Sequence, residues 1–118
     1  MLPLASGVLA CAFALLVPAL AAAQANAPVG NIDAGRSKTR MCDGCHGISG
    51  YRTAFPEVYR VPLLGGQHPA YLVKALQAYR SGERSHPSMR AIAASLTDQD
   101  MADLAAFYAR DGVKTASK

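Results

Sequence analysis

Cys42-Asp43-Gly44-Cys45-His46 is the stretch on which the reading of this chain turns. Two cysteines separated by two residues and followed at once by histidine form the CxxCH pattern of covalent haem attachment. Each thiol can add across a porphyrin vinyl group to give a thioether, and the adjoining imidazole is then held near the iron as an axial ligand. Two other readings of CxxC compete with this one. A dithiol redox pair needs a βαβ setting, and a structural zinc site needs a second Cys/His pair at finger spacing. Neither is present: Cys11 lies in an apolar stretch, and His68 and His86 stand far from the motif and from each other.

Residues 1–25 carry no charged side chain, and Leu9 to Val17 form an apolar run closed by Pro18 and a tract of small residues. Ala21-Ala22-Ala23 and Ala23-Gln24-Ala25 both fit the A-x-A cleavage pattern. Residues 1–25 are therefore read as a signal peptide cut near residue 23 or 25, and residues 26–118 as one mature domain. The absence of Lys and Arg from Met1 to Gly7 departs from the usual export signal. The uncharged stretch is long enough for an uncleaved anchor, but Pro18 and the weakly apolar alanines favour cleavage. The expected location is periplasmic.

A mature domain of this size has a thin polypeptide core, which a haem among the helices would enlarge. The net charge is +4, and all the charged residues fall after the leader. Arg52, Arg60, Lys74, Arg80, Arg84 and Arg90 are scattered singly, with no basic run and no interleaved aromatics, so nucleic-acid binding is excluded as a partner class.

The mature sequence reads as helices. Asn31 or Asp33 can cap a first helix running through Arg40 into the motif, and Gly35 inside it implies close packing against another helix. Gly47 to Gly66, with Gly50, Pro56, Pro62 and Gly65, reads as a long loop. A helix then follows His68 at the cap and Pro69 in the first turn, stopping at Ser81-Gly82, with Tyr71, Leu72, Ala75, Leu76 and Tyr79 on one face. Ser85 to Met89 reads as a loop and Arg90 to Ser95 as a short helix. Thr97 with Asp100 resembles a capping box that opens a last helix to about Arg110, with Met101, Leu104, Ala105 and Tyr108 inward. No segment alternates with period two, so the expected fold is all-α: four to five helices wrapped around one haem.

The iron's sixth position calls for sorting the methionines and histidines. Met41 adjoins the motif and is too close to reach the other haem face, while Met101 sits on a core-facing helix stripe. Met89 lies in a Pro-containing loop from which its thioether can point inward. A soft sulfur ligand favours ferrous iron and raises the reduction potential. His86 is the rival ligand, weighed against a plain role as an exposed loop residue. His68 reads as a cap or surface residue.

Taken together, MCDGCHG (41–47), VPLLGGQHPAYLVKALQAYRSGER (61–84), HPSM (86–89) and LTDQDMADLAAFYA (96–109) resemble a class I c-type cytochrome. The resemblance is to short single-haem relatives of the dihaem bacterial cytochromes c, and it covers nearly all of the mature chain. It implies thioether bonds at Cys42 and Cys45, a proximal His46, a distal Met89, and a Pro62 carbonyl that accepts a hydrogen bond from His46. It implies also that the first and last helices cross, with Gly35 near Phe107 or Tyr108. The stretch from Ile48 to Arg60 is longer than in the most compact members, and its role does not transfer.

The implied function is that of a soluble exported electron carrier, not an enzyme, cycling one haem c between ferric and ferrous iron. Its partners are then redox proteins, with room for peripheral association with membrane respiratory complexes. Three other readings stay open at this stage: a haem enzyme or gas sensor with a labile sixth position, a haem subunit of a larger oxidoreductase, and a thiol or metal module built on Cys42 and Cys45.

Overall fold

The computed structural model describes residues 27–54 and 58–110. The expected signal peptide and its cleavage site lie outside the described residues. Five helices follow in order: α1 Ile32–Lys38, α2 Arg40–His46, α3 Pro69–Ser81, α4 Pro87–Ala94 and α5 Asp98–Arg110. Among the described residues there is no strand, only one isolated antiparallel bridge between Arg52 and Arg60. The fold is all-α, as the absence of period-two patterning requires.

The crossing of α1 with α5 organises the domain. Asn31 caps α1 by accepting the Ala34 amide on its side-chain oxygen at 2.9 Å. Gly35 is buried, and a Cβ placed there would run into the carbonyl of Asp103 and come within 2.9 Å of the Phe107 Cβ. Gly30 makes the same approach one residue earlier on α5, against the Ala102 carbonyl and the Ala106 Cβ. Removing both side chains lets backbone touch backbone. The expectation for Gly35 is met, and Gly30 extends it.

Polar groups lock this crossing. Asp103 is only 3% exposed, yet its carboxylate accepts from the Asn31 amide at 2.8 Å, the Gln99 side chain at 2.9 Å and Lys38 Nζ at 2.6 Å. Lys38 also pairs with Asp100 at 2.7 Å. A buried carboxylate is tolerable only when its lone pairs are taken up in this way.

The first helix was expected to run unbroken to Arg40, but it stops at Lys38. Thr39 stands between α1 and α2, buried, with its hydroxyl turned back to the Arg36 carbonyl at 3.2 Å. A β-branched residue bonding its own preceding turn competes with the helical ladder, and the chain re-enters a new helix that carries the whole CxxCH motif.

Helix α3 begins at Pro69, where a missing N–H costs nothing, and ends at Gly82, whose φ of 89° is the left-handed stop that glycine supplies most readily. Residue 68 occupies the cap position without a side-chain cap bond. Helix α5 opens with the expected box: the Asp100 carboxylate takes the Thr97 amide at 2.9 Å, and the Asp100 amide donates to the Thr97 hydroxyl at 3.1 Å. Leu104, Ala105, Phe107 and Tyr108 of α5 pack with Leu72 of α3 as the main apolar cluster. Leu104 and Phe107 each contribute roughly 1.5–3 kcal/mol by leaving water. Met101 is fully buried, in keeping with its reading as a core residue.

Candidate haem site

A cavity of about 600 Å³ opens between the attachment helix, the loop before α3, and the faces of α3, α4 and α5. Cofactor sites run from about 300 to 1,000 Å³. Its floor is apolar, from Leu64, Leu72, Leu76, Ile92, Leu96, Leu104 and Ala105, and all five stripe residues of α3 face it. Tyr71 remains half exposed at its edge, as do Met41 and Leu63.

Helix α2 brings Cys42, Cys45 and His46 to this cavity together. Both cysteines are half-buried, with no disulfide between them. Burial, with help from the neighbouring Asp43 charge, pushes the Cys42 thiol above its ordinary pKa. His46 Nδ1 lies 2.6 Å from the Pro62 carbonyl oxygen. A carbonyl only accepts, so Nδ1 carries the proton and donates, and the lone pair of Nε2 is left for a metal. The Pro62 contact that the resemblance implies is present.

Met89 also lines the cavity, but not from a loop. It is the third residue of α4, which starts at Pro87, three residues before the helix expected from Arg90. Proline favours the first helical position, and the residue before it caps the turn. That residue is His86. It is half-buried rather than an exposed loop residue, and its Nδ1 accepts the Met89 amide at 3.2 Å.

Two features went unread in the sequence. The Tyr108 hydroxyl donates to the Asp43 carboxylate at 2.7 Å, and the Tyr108 carbonyl accepts the Gly66 amide at 2.9 Å, so one residue of α5 holds both the attachment helix and the loop before α3. Burial and the Asp43 hydrogen bond raise the pKa of this phenol far above its usual value, so it stays a donor. Tyrosine in place of phenylalanine on a buried stripe is the signal that a hydroxyl partner exists. The other feature is Tyr59, whose ring stands 4.4 Å from that of His86. It lies in the stretch whose role did not transfer, and no local pattern pointed to it.

Two thiols, an imidazole with a fixed tautomer, a thioether and an apolar floor around one cavity of this size fit a covalently bound haem. Residues 32–109 match the family model described as Cytochrome c. This chain belongs to the cytochrome c family. The family is one of electron carriers built on haem c, and this cytochrome carries haem c, covalently attached, with one haem in its small domain. It is 42% identical over 88 residues to cytochrome c4 of Thiocapsa roseopersicina, covering 73% of this chain and 43% of that protein. To cytochrome c4 of Pseudomonas aeruginosa it is 36% identical over 80 residues, 68% of this chain and 38% of that one. Cytochrome c-554(548) of Halomonas halodenitrificans is 39% identical over 82 residues, 67% of this chain and 94% of its own length. This cytochrome thus spans about two fifths of the c4 proteins and nearly all of the third relative.

Proposed function

We propose that this cytochrome is an exported, periplasmic electron carrier that cycles one haem between ferric and ferrous iron. In this reading Cys42 and Cys45 hold the haem as thioethers, and His46 and Met89 are its axial ligands. The observation that carries the reading is the meeting of Cys42, Cys45, His46 and Met89 at one cavity, with His46 Nδ1 committed to Pro62. When bound, the haem supplies an iron that takes and gives single electrons. The chain's own part is to hold both ligands through the change of charge. Pro62 keeps the imidazole in one tautomer and strengthens it as a donor, while a thioether on the other side favours the ferrous state. With both axial positions filled, no place is left for a substrate on the iron, which supports a carrier rather than an enzyme.

Export to the periplasm is supported by the uncharged leader and its A-x-A sites, and among the described residues no helix is long and apolar enough to cross a membrane. Redox proteins with acidic faces are the expected partners, given the net charge of +4. Transfer rates to such a partner should fall as salt rises, because ions screen the attraction that speeds encounter. A rate that holds steady or climbs with salt would contradict this docking mode.

Intact mass of the purified protein should equal the chain without its leader plus one haem, and the haem should survive acid-acetone extraction. The ferric protein should have the weak far-red sulfur-to-iron band. Met89→Ala should abolish that band, lower the reduction potential and open the iron to cyanide. A six-coordinate, cyanide-inert spectrum in Met89→Ala, lost instead in His86→Ala, would assign the ligand to His86 and overturn this reading.

A further inference from the structure

The first-turn amides of a helix have no acceptors within the helix, and something outside must take them. In α4 that role falls to His86, extended at φ −166° and ψ 110°, whose Nδ1 accepts the amide of Met89. The usual residues for this position are small, such as Ser, Asn or Asp. A histidine brings a ring that the cap itself does not need. That ring is packed: Tyr59 lies against it at 4.4 Å and 50°, and Tyr79 of α3 meets it edge-on at 6.3 Å.

Tyr59 is in turn pinned by its own loop. The Val61 amide donates to the Tyr51 carbonyl at 3.0 Å, and the Thr53 amide to the Tyr59 carbonyl at 3.0 Å. The Tyr59 amide donates to the Thr53 hydroxyl at 3.3 Å. Residues 51–54 and 58–61 therefore lie against each other as two arms, the second of which delivers Tyr59 to His86. Thr53, Tyr59, Tyr79, His86 and Met89 all border the same cavity.

We propose that Tyr59 and His86 form a positioning strut for Met89, in which the Tyr59 ring backs the His86 ring and His86 Nδ1 holds the Met89 amide. The paired arms 51–54 and 58–61 thereby govern how often the thioether leaves the iron. The proposal rests on the reading of Met89 as an axial ligand. His86 is a positioning residue, and its Nδ1 is occupied by a backbone amide rather than offered to the metal.

The test uses the haem-loaded ferric protein with potassium cyanide as probe, because an anion can bind only when the sixth position opens. His86→Ala should speed cyanide binding about fivefold, the usual worth of an N-cap, with the far-red band retained or shifted. His86→Asn, which can still take the amide, should return the rate to within about twofold of wild type. Tyr59→Ala should speed binding about threefold, the worth of an aromatic pair, where His86 is present. In the His86→Asn background it should add nothing. Wild-type cyanide rates in both His86→Ala and Tyr59→Ala would overturn the strut, even if their unfolding midpoints fall. The same holds if Tyr59→Ala acts equally in both backgrounds. A far-red band that persists in Met89→Ala would overturn the ligand reading and the strut with it. Loss of the band in Met89→Ala, with unchanged rates in the other variants, would overturn the strut alone.

Discussion

The α1–α5 crossing and the wall made by residues 47–54 and 58–66 with the start of α4 are held by different means. At the crossing, absence does the positioning: Gly30 and Gly35 let two helices meet at their backbones, and a buried carboxylate ties the seam with a lysine, a glutamine and a main-chain amide. The wall has no such seam. It is set by single contacts from one atom to another, His46 to Pro62, Met89 to His86, Gly66 to the Tyr108 carbonyl. Damage to the crossing should therefore appear in stability with the haem environment unchanged. Damage to the wall should alter the haem environment with little change in stability.

The largest expected effect is at Gly35. Gly35→Ala forces a methyl against the Asp103 carbonyl, backbone that cannot step aside, and should cost about 3 kcal/mol, lowering the thermal midpoint by about 15 °C. The reduction potential of the protein that remains folded should not move. A midpoint within a degree or two of wild type would mean that the helices are not in contact there. Met89→Ala should do the reverse, dropping the potential while leaving the denaturant midpoint close to wild type.

Asp103→Asn comes next. The amide can still accept from Asn31 but no longer balances Lys38, a loss of about 1.5 kcal/mol at neutral pH. Burial acts to raise the Asp103 pKa, but the Lys38 ammonium and the Asn31 and Gln99 donors outweigh it, and the net shift is downward. A carboxylate with a folded pKa below its unfolded value adds stability that is fully present above about pH 4 and lost as pH falls through the folded value. Urea midpoints of wild type should thus fall more steeply than those of Asp103→Asn as pH drops below about 4. Parallel curves would remove Asp103 from the acid response. Smallest of all is Met101→Leu, a volume-conserving change at a fully buried position, which should cost under about 1.5 kcal/mol and leave the far-red band intact. A lost band would put the wrong methionine on the iron.

The comparison also divides what the sequence made legible. Features written in one residue's own chemistry could be read: Pro69 and Gly82 bounding α3, the Thr97–Asp100 box, Gly35 as a place of close approach, and CxxCH as two thiols and an imidazole. The break at Thr39 was not read, because a threonine mid-helix is tolerated as often as it interrupts. The early start of α4 was missed because His86-Pro87 was read into a loop, although it repeats the histidine-proline start read at α3. Tyr59 itself comes from 27 positions away across a loop with no periodicity, so no window along the chain contains the pair. The Pro62 contact was reachable through family resemblance alone, since nothing local ties a proline carbonyl to a histidine 16 residues earlier.

The crossing has a consequence in time as well as in space. Its bonds join Asn31 to Asp103 and Lys38 to Asp103, 72 and 65 residues apart. Closing so long a loop comes before any reward from packing, and contacts of this span form late. While the chain is being synthesised, its first helix has nothing to dock on until α5 exists. Through that interval Cys42 and Cys45 lack the half-burial that folding gives them. The thiols are most accessible before the platform that will carry them has assembled, and the order of manufacture itself decides when they are open to chemistry.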